Sequence, residues 1–198
     1  MIVITNPVPI VYEIDTIHSL FENGLELLHI RKPNFSEEEM KLFLSKIEME
    51  FRSKLVLHQH HHLAEDFGIS RIHFTEKDRI QWNKTSDKFQ KPVRSISTSV
   101  HTMNDFNSLN TIFEYSFLSP VYQSISKPDY VGEINLLETL KQRTNFNTKL
   151  IALGGITAEN ISQTLEKGFN DIALLGTIWN SSNPIKNFKL CQQIVLLF

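Results

Sequence analysis

Short apolar runs alternate along the chain with stretches in which apolar residues recur at helical intervals. The runs are rich in β-branched residues and almost continuous, which is typical of strands buried on both faces of a parallel sheet. Eight of them are predicted as strands, at residues 2–5, 25–31, 54–58, 71–74, 93–99, 115–121, 149–155 and 171–176. The pattern therefore indicates an α/β fold.

Two of the intervening stretches carry recognisable helix boundaries. Ser36 and Glu39 have the spacing of a capping box, and apolar residues follow at helical intervals. A second helix is predicted from Thr157 to a point near Lys167, where a glycine follows a basic residue. After the fourth strand, residues 79–91 are polar and predict only a turn or a loop.

Eight strands with intervening helices predict a compact (β/α)₈ TIM barrel, although 198 residues is short for that fold. A doubly wound open sheet is the alternative architecture. The hydrophobic fraction of 41% is that of an ordinary globular protein with ample side chains for a core. We therefore expect a single domain over residues 1–198.

Charge and composition limit the partners. The formal net charge of −2 argues against binding to nucleic acid or another polyanion, so any phosphate site must be built locally. Cys191 is the one cysteine, which excludes an internal disulfide or a thiolate metal cluster and agrees with a reducing cytoplasm. No stretch resembles a signal peptide or reaches the roughly 18 apolar residues that span a membrane. These features predict a soluble cytoplasmic protein without a membrane partner.

Glycines follow the last two predicted strands, where parallel α/β folds gather their functional residues. Gly154 and Gly155 come directly after strand seven, and Gly176 follows strand eight. Glycines there allow backbone N–H groups to approach a ligand, and the next helix points its positive end at it. The pattern predicts a phosphate site, with a tight turn as the alternative.

Hydroxyl groups mark the ends of strands five and six. Strand alternation places Ser97, Ser99 and His101 on one side, facing the barrel mouth. The next motif brings two hydroxyls and a cation to one face of an extended loop, which suits an anion; its members are Ser124, Ser126 and Lys127. A helix cap explains the neighbouring Thr102, and a solvated loop is the alternative for the second motif.

Taken together, these motifs resemble the thiamine phosphate synthase family and its thiazole tautomerase relatives, which share a compact barrel. Residues 27–32 are similar to the family's Gln-Leu-Arg-Glu-Lys, and residues 99–102 to its Ser-x-His-Thr. Residues 119–127 are similar to Gly-Pro-x-x-x-Thr-x-Thr-Lys, and residues 152–156 to Ala-Ile-Gly-Gly-Ile. The resemblance runs from strand two to strand eight.

The resemblance implies a transferase of thiamine biosynthesis that acts on small phosphorylated substrates. Hydroxymethylpyrimidine diphosphate would ionise to a pyrimidine cation and pyrophosphate, and the nitrogen of a thiazole phosphate would capture the cation. By matched position, Arg31 and Lys127 would hold diphosphate oxygens, and Ser99 would lie near the pyrimidine. The further substrate-binding positions that it implies are His29, His101, Ser124, Ser126, Gly154, Gly155 and Gly176.

Strand three departs from the family pattern. The family has Asn-Asp-Arg there, with the aspartate helping to hold Mg²⁺, whereas this chain has His58, Gln59 and His60. Asp78 matches the second expected ligand of Mg²⁺. Glu76 offers another carboxylate two residues earlier, on the same side if the segment is extended.

Three interpretations of this departure follow. In the first, Glu76 and Asp78 hold Mg²⁺ while His58 or His60 contacts the diphosphate. In the second, the metal site has been lost and the histidines fill space. In the third, His58 and His60 hold a transition metal, because imidazole suits Zn²⁺.

Two other functions stay open at this point. A thiazole tautomerase would need the family's proton-shuttling histidine at the end of strand six, where this chain has Pro120. His29 and His101 are the nearest substitutes. A non-catalytic relative would instead bind thiazole phosphate or thiamine phosphate without joining the two substrates. A homo-oligomer is one option for the assembly of this chain.

Overall fold

Eight parallel strands pair in chain order and close into a barrel, since the first strand pairs with both the second and the eighth. The computed structural model describes residues 1–85, 93–123 and 136–198. Closure confirms the predicted (β/α)₈ barrel and rules out the open sheet. The strands are β1 (Ile2–Ile4), β2 (Leu28–Ile30), β3 (Leu55–Leu57), β4 (Arg71–Phe74), β5 (Ser95–Val100), β6 (Phe113–Leu118), β7 (Lys149–Leu153) and β8 (Asp171–Leu174).

The helices between the strands are short, which is how the fold fits into so few residues. The α-helices are α1 (Glu13–Glu22), α2 (Glu37–Ser45), α3 (Glu76–Thr85), α4 (Met103–Asn107), α5 (Leu136–Thr139), α6 (Ile161–Glu166), α7 (Gly176–Trp179) and α8 (Pro184–Val195). Three 3₁₀ helices among the described residues cover Met49–Lys54, His61–Ala64 and Leu140–Gln142. None of the described helices combines the length and apolar character needed to cross a bilayer.

The predicted capping box of α2 is confirmed. The Glu39 backbone N–H donates to Ser36 Oγ at 3.2 Å, and the Ser36 N–H donates to Glu39 Oε2 at 2.8 Å. The second predicted helix, α6, begins four residues later than Thr157. Asn160 accounts for the difference, because its amide group bonds the backbone of Thr157 and Gly155 in a turn before the helix.

The prediction of only a turn or loop over residues 79–91 was wrong for the part of that segment that the structure describes. Helix α3 runs from Glu76 to Thr85. Thr75 caps it, since its hydroxyl accepts from the Asp78 backbone N–H at 3.3 Å and bonds the Asp78 carboxylate. The connection that lacks an α-helix instead follows β3, where a single 3₁₀ turn leads to β4.

The barrel interior is part apolar and part polar. A small apolar cluster fills one portion of it: Ile2, Ile4, Tyr115, Phe117, Ile151 and Ala173. Histidine and serine side chains on β2, β4 and β5 occupy the rest, and His29, His73 and Ser97 are all buried. Buried polar groups need hydrogen-bond partners, so this part of the interior forms a network.

A buried ion pair anchors the loop after β2 to α1. Lys32 Nζ lies 2.6 Å from both carboxylate oxygens of Glu13 and 2.8 Å from the Asn6 carbonyl oxygen. Both side chains are buried. Burial is the largest cause of both pKa shifts: it raises the pKa of Glu13 and lowers that of Lys32. Lys32 is therefore held inside the fold by Glu13 and does not line the cavity at the ends of the strands.

Replacing Glu13 by glutamine is expected to lower the free energy of unfolding by about 3–5 kcal/mol, because it leaves a buried ammonium without its counter-charge. Urea denaturation at neutral pH measures this. Glu138→Gln is the control, since the Glu138–Lys141 pair is exposed and should change stability by less than about 1 kcal/mol. Equal effects of the two substitutions would contradict the assigned role.

Candidate active site

A cavity of about 610 Å³ opens where the strands end, and residues from the ends of most strands line it. Its polar lining includes Asn6, Arg31, His58, His73, Glu76, Ser99, His101, Ser119, Gly154, Gly155, Gly176 and Thr177. Apolar side chains complete the wall: Ile4, Phe117, Leu153, Ile156 and Leu175. Most of the predicted site residues that the structure describes therefore meet in one concavity.

The backbone after β7 requires glycine at two positions, whether or not a ligand binds there. Gly154 and Gly155 adopt φ angles of +98° and +65°, which favour glycine. A Cβ atom on Gly154 would lie 2.9 Å from Pro120, and one on Gly155 would overlap the Gln123 carbonyl oxygen. Both glycines line the cavity together with Gly176. The predicted tight turn is thus present, and the phosphate site stays a proposal.

Arg31 is the cation at the cavity rim. Its backbone is fixed by Thr5, whose hydroxyl accepts from the Arg31 N–H at 2.9 Å and donates to the Arg31 carbonyl at 3.3 Å. The side chain is exposed and lines the cavity. Among the described residues, its guanidinium makes no hydrogen bond or ion pair, so it is available to an anion. The predicted clasp residues Ser124, Ser126 and Lys127 lie outside the described residues.

The strand-five residues lie on one side, as alternation predicted. Ser97 and Ser99 bracket His73 on β4, with His73 Nδ1 2.8 Å from Ser97 Oγ and Nε2 2.9 Å from Ser99 Oγ. Ser99 and His101 line the cavity, and His101 Nδ1 donates to the Ser119 carbonyl at 2.7 Å. His73 was not predicted as a site residue, although the same alternation along β4 places it inside the barrel.

Three histidines, which we call the floor histidines, are buried side by side at the bottom of the cavity: His29, His58 and His73. Of these, His58 and His73 line it. His29 Nδ1 lies 2.8 Å from His58 Nε2, and His29 Nε2 lies 2.7 Å from the Tyr115 hydroxyl. The rings of His58 and His73 stack with centroids 4.1 Å apart. His29 does not line the cavity, so its predicted contact with substrate is replaced by contacts within the barrel.

Burial controls the charge of this network. It lowers the pKa of His29 and His58 well below the ordinary value and that of His73 to about 3. It also raises the pKa of the Tyr115 hydroxyl. At neutral pH all three rings are therefore neutral, and each has one N–H donor and one acceptor nitrogen.

The floor histidines do not fit a transition metal. One nitrogen from each lies within 4.8 Å of the others, but His58 and His73 are inclined by only 23°. Ring nitrogens bind a metal in the ring plane, so two nearly parallel stacked rings do not converge on one ion. The predicted His58–His60 pair is not formed either, because His60 Nε2 contacts the Phe35 carbonyl at 3.0 Å.

The predicted pair of magnesium ligands is also not assembled. Glu76 lines the cavity, whereas the Asp78 carboxylate bonds Thr75 at the start of α3. The expectation that they share a side assumed an extended segment, and in a helix positions two apart point about 200° from each other. Of the acidic residues that the structure describes, Glu76 alone lines the cavity. These residues do not fit a magnesium site held by two carboxylates.

Comparison with known proteins identifies the family. The family model described as thiamine monophosphate synthase matches residues 1–178. The chain belongs to this family. The thiamine-phosphate synthase of Chlamydia caviae is 24% identical over 195 residues, covering 95% of this chain and 90% of that protein. The match to the Streptococcus suis thiamine-phosphate synthase is 26% identical and covers 75% of this chain and 66% of that protein.

Solved structures of the family share the fold. The thiamine phosphate pyrophosphorylase of Bacteroides thetaiotaomicron superposes with a TM-score of 0.78 at 28% identity, covering 100% of this chain and 98% of that one. The thiamine phosphate pyrophosphorylase of Pyrococcus furiosus superposes with a TM-score of 0.76 at 17% identity, covering 99% of this chain and 95% of that one. Family membership confirms the resemblance seen in the sequence motifs.

Proposed function

We propose that the protein joins hydroxymethylpyrimidine diphosphate to a thiazole phosphate and releases pyrophosphate. The observation that carries the proposal is that one cavity holds the glycines after β7 and β8 together with Arg31, whose guanidinium has no ion-pair partner among the described residues. A cation suits the leaving diphosphate, and backbone amides suit the single phosphate of the second substrate. The whole domain, residues 1–198, serves this one site.

The cavity walls suit the proposed cationic intermediate. Ile4, Phe117 and Leu153 are apolar and line the cavity beside Ser99. Apolar walls exclude water, which would otherwise capture a pyrimidine cation before the thiazole nitrogen does. Phe117 also offers an aromatic ring, whose face attracts positive charge. Arg31 acts at the other end of the reacting bond, where negative charge grows on the leaving diphosphate.

The direct test is to mix the purified protein with both substrates and Mg²⁺ and to measure thiamine phosphate by mass spectrometry. Formation of thiamine phosphate that depends on Arg31 supports the synthase. Binding of thiazole phosphate without turnover would overturn it in favour of a non-catalytic binding protein. Formation of a thiazole tautomer alone would overturn it in favour of a tautomerase.

We expect Asp78→Asn to leave pyrophosphate affinity in the presence of Mg²⁺ unchanged, because the Asp78 carboxylate bonds Thr75 and does not line the cavity. Isothermal titration with pyrophosphate measures this. Glu76→Gln is the matched comparison, since Glu76 is the described carboxylate at the cavity. A loss of pyrophosphate affinity of about tenfold or more in Asp78→Asn would contradict this expectation and support a magnesium site held by both carboxylates.

A further inference from the structure

A line of hydrogen-bonded side chains runs from the inside of the barrel to the cavity. It begins at the Tyr115 hydroxyl, passes through both ring nitrogens of His29, and ends at His58 Nε2, with distances of 2.7 and 2.8 Å. Tyr115 and His29 are buried, and His58 lines the cavity. The contacts inside the barrel therefore reach the cavity through His58.

Hydrogen-bond chemistry fixes the direction of this line. A neutral imidazole has one N–H and one acceptor nitrogen. A phenol hydroxyl is a good donor, whereas its oxygen is a much weaker acceptor than an imidazole nitrogen. Its other partner, the Ser97 hydroxyl, can donate to the phenol oxygen, so Tyr115 donates to His29 Nε2. His29 must then carry its hydrogen on Nδ1 and donate it to His58 Nε2. His58 is left with its hydrogen on Nδ1, the nitrogen that the line does not use.

A second set of contacts holds the His58 ring in place. His73 stacks on it with centroids 4.1 Å apart, and His73 is itself fixed by Ser97 and Ser99 at 2.8 and 2.9 Å. The His58 backbone N–H also donates to the Ile30 carbonyl at 3.2 Å. Both the orientation and the tautomer of His58 are therefore set before any ligand arrives, which lowers the cost of binding.

We propose that His58 Nδ1–H donates a hydrogen bond to a phosphoryl oxygen of the ligand, and that Tyr115 and His29 are positioning residues that fix this tautomer. The identity of the ligand as a diphosphate rests on the proposed function. His58 supplies a neutral donor at the same cavity as the cation of Arg31. It thus supports the leaving anion at a site whose described residues do not form a two-carboxylate magnesium site.

The tautomer is tested first in the unmodified protein. Two-bond couplings in ¹⁵N–¹H NMR spectra of the histidine rings distinguish a hydrogen on Nδ1 from one on Nε2. We expect His29 and His58 both to carry it on Nδ1 at neutral pH, and Tyr115→Phe to shift His58 toward the other tautomer. A wild-type His58 with its hydrogen on Nε2 would overturn the proposal without any variant.

Binding of inorganic pyrophosphate tests the consequence, using Tyr115→Phe, His58→Asn and the double variant. We expect Tyr115→Phe to weaken binding about ten- to hundredfold, the range for a hydrogen bond to a charged group. Asparagine donates without a ring tautomer, so Tyr115→Phe should have no further effect in the His58→Asn background. Equal weakening in both backgrounds would show a merely structural role for Tyr115 and overturn the proposal.

His62→Asn is the control for losing a histidine from the same run, since His62 is exposed and contacts Glu37. It should bind pyrophosphate as the wild type does. The inference and the proposed function can fail separately. If the NMR and binding results are as expected but no thiamine phosphate forms, the function is overturned and the inference stands. If thiamine phosphate forms and His58 carries its hydrogen on Nε2, the inference is overturned and the function stands.

Discussion

Replacing Arg31 by alanine is expected to lower kcat for thiamine phosphate formation by about a hundred- to a thousandfold. The guanidinium lines the cavity and has no ion-pair partner among the described residues, so its charge is available to the diphosphate. The leaving group gains charge as its bond breaks, and a cation therefore stabilises the transition state more than the bound substrate. The KM for thiazole phosphate should change little.

Steady-state kinetics with each substrate varied in turn measures the two effects. Arg31→Lys should recover part of kcat, because it keeps the charge but loses the planar pair of donors. Arg52→Ala is the control, since Arg52 lies in the 3₁₀ helix before β3, at the opposite end of the barrel. Equal losses in kcat and in thiazole phosphate affinity would contradict the assignment of Arg31 to the diphosphate.

The strands were predictable because burial on both faces leaves a continuous apolar signal in the sequence. All eight are present: the prediction 71–74 matches β4 at both ends, and the other predicted ends differ from the strand ends by at most three residues. For example, residues 25–31 were predicted as a strand, whereas β2 covers only Leu28–Ile30. The prediction began too early because Leu25 is buried in the core but lies outside the strand. Helix α3 was missed because Asp78, which bonds the capping residue Thr75, was interpreted as a metal ligand and the helix itself is polar.

The site was only partly predictable, because spacing along one segment does not reveal contacts between strands. Arg31 and the paired glycines were found from motifs that follow single strands. His73 and Tyr115 were missed, since their contacts are with residues on β2 and β5 and with His58, which directly follows β3. His60 was expected beside His58, but its φ of +53° belongs to the turn after β3, and its ring contacts Phe35 instead.

Acidification from pH 7 to 5 is expected to destabilise the protein by about 2 kcal/mol through His73 alone. Burial lowers the pKa of His73 from 6.5 to about 3. Between pH 6.5 and about 3, His73 is therefore protonated in the unfolded chain but stays neutral in the folded protein. The stabilisation is complete above pH 6.5 and is lost as pH falls toward about 3. The lowered pKa values of His29 and His58 act in the same direction.

Urea denaturation at pH 7, 6 and 5 measures this loss, in a range where exposed carboxylates remain mostly ionised. His73→Gln removes the titrating ring and keeps polar groups between Ser97 and Ser99, so its stability should fall less steeply with acid than that of the wild type. The charges of Arg31 and His61 add to the effect of burial on the pKa of His73. The variant keeps His29 and His58, whose pKa values are also lowered. It should therefore retain part of the slope of stability against pH. Identical slopes in the two proteins would mean that His73 keeps an ordinary pKa in the folded barrel, contrary to its burial between Ser97 and Ser99.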